Sequence, residues 1–209
     1  MSQTVQIERR TFQFTAEVRA GEEGDGRRIV GHASVFDAEY PIGDPRSYGF
    51  IEVVRPGAFA RAIREAQDVP ALFNHEAGHL LARSGSGTLR LAEDATGLRI
   101  EADVAETSVG NDVLHLIQRG DLSQMSFAFR PAVGGDRWTT REDDGVIVEV
   151  RELLDLDLFD VSVVTRAANP ATDVSKRSSE ARERARSERA AAWAARKEIE
   201  GLAPGMPRV

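Results

Sequence analysis

Cysteine is absent from this chain of 209 residues, which excludes disulfides, thiolate catalysis and Cys-rich zinc sites. Long apolar runs are missing too. No stretch of about 18 apolar residues is present to span a bilayer. The start, Met1-Ser2-Gln3-Thr4-Val5-Gln6-Ile7-Glu8, is polar and lacks the basic-then-apolar pattern of a secretory signal, so an intracellular setting is expected. Aromatic residues make up only 6%, yet the 41% of hydrophobic residues suffices for a core. Histidine is scarce, at four residues, so imidazole chemistry has few possible sources.

Charge is abundant and unevenly placed. From Ser175 onward there are nine Lys/Arg and five Asp/Glu, a balance of +4, against 18 basic and 29 acidic residues before it, a balance of −11. An acidic body argues against broad binding to a phosphate backbone. The basic tail suits weak contact with nucleic acid, or with the acidic surface of its own body or of a partner.

Residues 1–170 read as one domain and 171–209 as a basic Ala/Arg/Glu-rich tail, helical at least in part. In the body, period-two apolar positions dominate: Phe12, Phe14, Ala16 and Val18, then Leu89 and Leu91, then Leu98, Ile100, Ala102 and Val104. Turn signals separate the runs, and Asp143-Asp144-Gly145 should join Trp138 to Arg141 with Val146 to Val150 as a hairpin. Short antiparallel strands of this kind point to a barrel or sandwich. Two helices are expected, over 58–66 and from a cap at Thr107 or Ser108 to Gly120.

Three segments carry chemistry. Pro70-Ala71-Leu72-Phe73-Asn74 is followed by His75. Ser126 lies in Met125-Ser126-Phe127-Ala128-Phe129, where alternation sets the three large residues in the core and turns the serine toward a cleft. Asp160 shares strand parity with Leu154, Leu156 and Leu158, so unpaired it would face a large desolvation cost. A histidine partner removes that conflict and fixes the imidazole tautomer. The three together offer a Ser-His-acid set, with Asp157 as the rival acid. The competing readings are a solvent-facing strand serine, a turn histidine, and a bulge near Leu158-Phe159 that turns Asp160 outward. Arg130 and Arg166 are candidate helpers for an oxyanion.

His75-Glu76-Ala77-Gly78-His79 also matches the zincin pattern H-E-x-x-H. That chemistry needs a helix. Here a strand-like run precedes it, Gly78 interrupts it, and Ser84-Gly85-Ser86-Gly87 follows closely. A third ligand would have to be His32, His115 or a carboxylate, so a zinc hydrolase is the weaker reading. A non-enzymatic assembly or scaffold factor is the other rival.

The ordered series Gly31-His32-Ala33-Ser34-Val35-Phe36, Glu52-Val53-Val54-Arg55-Pro56-Gly57-Ala58-Phe59, Asn74-His75-Glu76, Gly97-Leu98-Arg99-Ile100-Glu101-Ala102, Met125-Ser126-Phe127-Ala128-Phe129, Phe159-Asp160-Val161-Ser162-Val163-Val164 and Ala167-Ala168-Asn169-Pro170 resembles the prohead (capsid maturation) proteases of tailed bacteriophages. These are serine peptidases related to the herpesvirus assemblins. The resemblance implies a mainly β fold with flanking helices (α+β), built as a compact, mostly antiparallel barrel. It assigns His75 as general base, Ser126 as nucleophile and Asp160 as third member, with no cofactor and no metal. The family commonly has Glu-Val-Ser where Asp160-Val161-Ser162 stands, and Asp157 or a histidine remains an alternative for that position. The implied partners are the major capsid protein and its scaffold segment, with room for a homo-oligomer and no membrane. The implied setting is the cytoplasm of the bacterial host, inside the assembling procapsid. Self-cleavage and removal of the tail, or its use in targeting, are further expectations.

Overall fold

The computed structural model describes residues 7–12, 17–19 and 27–165. Phe14, Ala16, Arg166 and the expected tail at 171–209 lie outside these residues. In chain order the strands begin with β1 (Glu8–Phe12), β2 (Glu17–Arg19), β3 (Arg28–Val35), β4 (Glu39–Ile42) and β5 (Phe50–Val54). After helix α1 (Ala60–Arg64) come β6 (Pro70–Phe73), β7 (Glu76–Arg83), β8 (Leu89–Glu93) and β9 (Gly97–Asp103). Helix α2 (Ser108–Gln118) leads to β10 (Gln124–Pro131), β11 (Asp136–Asp143), β12 (Val146–Leu153) and β13 (Leu156–Val164).

The strands hydrogen-bond into three open sheets, ordered β1-β10-β13-β6-β7, β11-β12-β5-β4 and β2-β3-β9-β8. Among the described residues the class is therefore mainly β with two short α-helices, as the alternating runs imply, and the ladders do not close a barrel. Most pairings are antiparallel; β13 with β6 and β12 with β5 are parallel. Parallel strands tend to be covered on both faces, and β5 is accordingly buried along its whole length.

One large core lies under these sheets. Phe127 and Phe129 on β10 stack at 4.9 Å, and Phe59 meets Phe127 edge-on at 5.4 Å. Met125, Leu98, Ile100, Leu153 and Leu156 fill the same interior. Gly97 is fixed by backbone approach: a Cβ there would lie 2.0 Å from the Ser34 carbonyl oxygen.

Both helices form where caps and apolar spacing dictate. Thr107 caps α2 by accepting from the Gly110 N–H at 3.0 Å, Val113, Leu114 and Ile117 are buried, and Gly120 follows at φ +82°. Helix α1 is shorter than the expected 58–66. Ala66 enters the left-handed region at φ +49°, and the Ala66 and Gln67 N–H groups turn back to the Ile63 and Ala62 carbonyls, which ends the helix. Its start is held by Glu93, which accepts from the Phe59 and Gly57 N–H groups at 2.8 and 3.2 Å. The β11–β12 hairpin turns at Asp144 and Gly145, φ +48° and +78°, the two-residue geometry that Asp-Gly favours.

Candidate active site

Strand β10 sets the first group. Met125, Phe127 and Phe129 point into the core, which leaves Ser126 and Ala128 on the opposite face. Its neighbour β13 pairs antiparallel, with Ser126 opposite Ser162 and Ala128 opposite Asp160. Phe129 then pairs with Leu158, so Phe159 is an extra residue, a β-bulge. The bulge changes the parity of the strand. Leu158 stays with the core face of Phe129, and Asp160 moves to the face of Ser126. A bulge near Leu158-Phe159 was the reading that sends Asp160 to solvent; instead it delivers a carboxylate only 7% exposed to the serine.

Histidine arrives from the other side of β13. Strand β6 runs parallel to it, and the Asn74 N–H donates to the Val163 carbonyl at 2.9 Å. Asn74 and His75 then form a two-residue turn into β7, with φ of +54° and +59°. Such a turn needs left-handed backbone twice, which costs roughly 1–2 kcal/mol per non-glycine residue, less for Asn. Asn74 secures it, its Oδ1 accepting from the Thr165 N–H at 2.9 Å and hydroxyl at 3.3 Å. The strained turn projects the imidazole over the Ser126–Asp160 face.

The three side chains meet in line. His75 Nδ1 lies 2.6 Å from Asp160 Oδ1, and His75 Nε2 lies 2.7 Å from Ser126 Oγ. A carboxylate accepts only, so Nδ1 carries a proton toward Asp160 and Nε2 is left to accept from the serine. Ser162 Oγ donates to the same Asp160 oxygen at 2.8 Å and lies 3.2 Å from His75 Nδ1. Two donors therefore converge on one oxygen of the buried carboxylate. Ser162 and Asn74 were quoted only as parts of motifs, since nothing local in the sequence tells a carboxylate-holding serine from any other strand serine.

Ser126 is not in an open cleft. It is fully buried, and β1 pairs along the outer edge of β10 with Thr11 opposite Ser126. Its hydroxyl also reaches the Arg10 carbonyl, at 2.8 Å. On the other face of β1, the side of Phe127 and Phe129, lies a buried ion cluster. Arg10 pairs with Glu52 and with Glu8 (2.7 Å), while Arg151 joins Glu8 (2.8 Å), Glu52 (3.2 Å) and Asp136 (2.8 Å). Burial pushes the Glu8 carboxyl up, but hydrogen bonds and charge from Arg151 and Arg10 outweigh it and hold it below the usual carboxylate range.

The other candidates are engaged elsewhere. Asp157 pairs with Arg61 at 2.7 Å and with Arg130. The Arg130 hydrogen bond, then that of Arg61, holds its carboxyl below the ordinary 3.8. Arg130 also lies over the Phe159 ring, so its guanidinium is committed to that pair. His32 bonds Asp94 at 2.8 Å, and His115 sits exposed on α2. The H-E-x-x-H segment is a turn followed by β7, with His79 against the Phe73 ring at 6.1 Å, so its histidines are not one helical turn apart. No cluster of three or more metal-ligating side chains occurs among the described residues, and no helix among them is long and apolar enough to cross a membrane.

Comparison with known proteins bears on the whole body of the chain. No curated protein matches it by sequence. Among solved structures, the bacteriophage T4 capsid assembly protease, gp21, aligns with a TM-score of 0.46 at 11% identity, over 76% of this chain and 97% of that one. The family model for the caudovirus prohead serine proteases matches residues 14–186, which contain the turn, the serine strand and the bulged strand described above. The chain belongs to that family and is a serine protease of phage capsid maturation.

Proposed function

We propose that Ser126, His75 and Asp160 are the catalytic triad of this protease. The observation that supports the reading is the continuous contact from Asp160 through His75 to Ser126, at 2.6 and 2.7 Å. In this mechanism His75 Nε2 takes the Ser126 proton as Oγ attacks a peptide carbonyl carbon. The resulting imidazolium, stabilised by Asp160, protonates the leaving amine. Water then attacks the acyl-enzyme with His75 as base, and the proton returns to Ser126.

The substrates we assign are the major capsid protein and its scaffold segment, inside the assembling procapsid in the bacterial cytoplasm. Cleavage of the enzyme itself, and removal of residues 171–209, complete the proposal. For the fold we propose an assemblin-type barrel, which the packing of β1 and β10 against β3 across two sheets supports. Co-expression with the neighbouring capsid protein tests the activity, using wild type and Ser126→Ala and intact-mass spectrometry. Shortened products are expected with wild type only, and full-length masses in both would contradict the reading.

A further inference from the structure

Ser126 has one hydroxyl proton and two acceptors for it. His75 Nε2 stands at 2.7 Å and the Arg10 carbonyl at 2.8 Å. When the proton points to Arg10, His75 cannot take it, and the serine is a poor nucleophile. With β1 in place the serine has no exposed surface, so no peptide carbonyl can reach Oγ. One segment thus withholds both the proton and the substrate.

That segment sits where a substrate strand belongs. Strand β1 is the outermost strand of its sheet and pairs antiparallel with β10 from Glu8 opposite Phe129 to Phe12 opposite Met125. With β1 gone, β10 offers a free edge beside the nucleophile, and an extended peptide adds to such an edge by main-chain hydrogen bonds. The Arg10 side chain adds a recognition element: its guanidinium meets Glu52 and lies 5.3 Å from the Phe129 ring centroid. Leaving takes one positive and one negative side chain, Arg10 and Glu8, out of the ion cluster. Arg151 then faces both Glu52 and Asp136, so the emptied place favours a cation.

We propose that the outer edge of β10 is the substrate-binding edge, and that β1 occupies it as an internal plug. The occupant that displaces β1 is an extended peptide with a basic residue in the place of Arg10. This rests on the serine-protease reading and adds to it a closed resting state and a substrate preference.

A reversible lock tests it in the full-length chain. Arg9 and Ala128 lie directly opposite, within the Cα separation a disulfide needs, and the chain has no other cysteine. In Arg9→Cys/Ala128→Cys, a fluorophosphonate should label Ser126 about tenfold faster or more after reduction than in the oxidised form, with wild type indifferent to reductant. Arg10→Ala, which loosens β1 and leaves every residue of β10 unchanged, should label faster than wild type. A capped peptide with the sequence of residues 7–12 should slow that variant, and the same peptide carrying Arg10→Ala should slow it less. Equal rates in oxidised and reduced forms, with the disulfide confirmed by mass, would overturn the proposal, as would a folded Arg10→Ala no faster than wild type. Absence of labelling in every folded form would overturn the serine-protease reading itself, and the plug with it.

Discussion

Strand β13 carries two carboxylates three residues apart, and they have opposite fates. Asp157, before the Phe159 bulge, is held by two arginines, Arg61 and Arg130. Asp160, after it, is held by a histidine and a serine. Arginine stays charged at any working pH, so its pair with Asp157 is fixed and structural. An imidazole can accept a proton on one nitrogen while it donates from the other, so its pair with Asp160 can take part in a proton cycle. The residue type is the same and the strand is the same. The bulge keeps both acids on the Ser126 face of the sheet, and place along the strand decides which partner each one meets.

The contrast can be broken from the Asp160 side first. Asp160→Asn keeps the shape but spoils the imidazole tautomer, and kcat should fall by about 10⁴ while folding is retained, read by circular dichroism beside the kinetics. Deleting Phe159 removes the bulge and sets Asp160 directly after Leu158, on the opposite face and still opposite Ala128. The deletion variant should therefore keep a kcat at least about tenfold above that of Asp160→Asn. A loss as deep as that of Asp160→Asn would mean that the bulge itself aims the acid. Ser162→Ala removes one of two donors to Asp160 and should cost roughly tenfold in kcat/KM, the equivalent of about 1.4 kcal/mol.

The Asp157 side should respond in stability alone. Asp157→Asn is expected to leave kcat/KM within about twofold and to lower Tm by roughly 2–4 °C. Acid sharpens the same point. The Asp157 carboxyl is held below its ordinary 3.8, so the stability it contributes is complete above that value and is lost as pH falls further, through the folded-state value. Wild type should therefore lose more stability than Asp157→Asn below about pH 4, in Tm measured against pH.

Much of this site was legible before the fold. Composition and spacing marked Ser126 as the small residue between large core residues, His75 as the histidine after a strand, and Asp160 as a charge inside an apolar run. The prohead-protease resemblance joined them. A bulge near Leu158-Phe159 entered only as the rival that turns Asp160 outward; parity counting assumes an unbroken pleat and could not tell that the bulge brings Asp160 to the face of Ser126. Parity counting also turned Ser126 toward a cleft, because strand parity says nothing about which distant strand covers a face. Arg10 and Ser126 are 116 residues apart, and only the folded edge pairing brings them together. The short α1 has a similar cause: its apolar face suggested nine residues, and the left-handed turn at Ala66 ended it early.

The account stands on Ser126 being the nucleophile that His75 activates. Phosphonate labelling of wild type and His75→Ala, followed by peptide mapping, tests this directly. The account predicts a single adduct, on Ser126, that nearly vanishes in folded His75→Ala. An adduct on Ser162, or equal labelling of Ser126 without the imidazole, would contradict it.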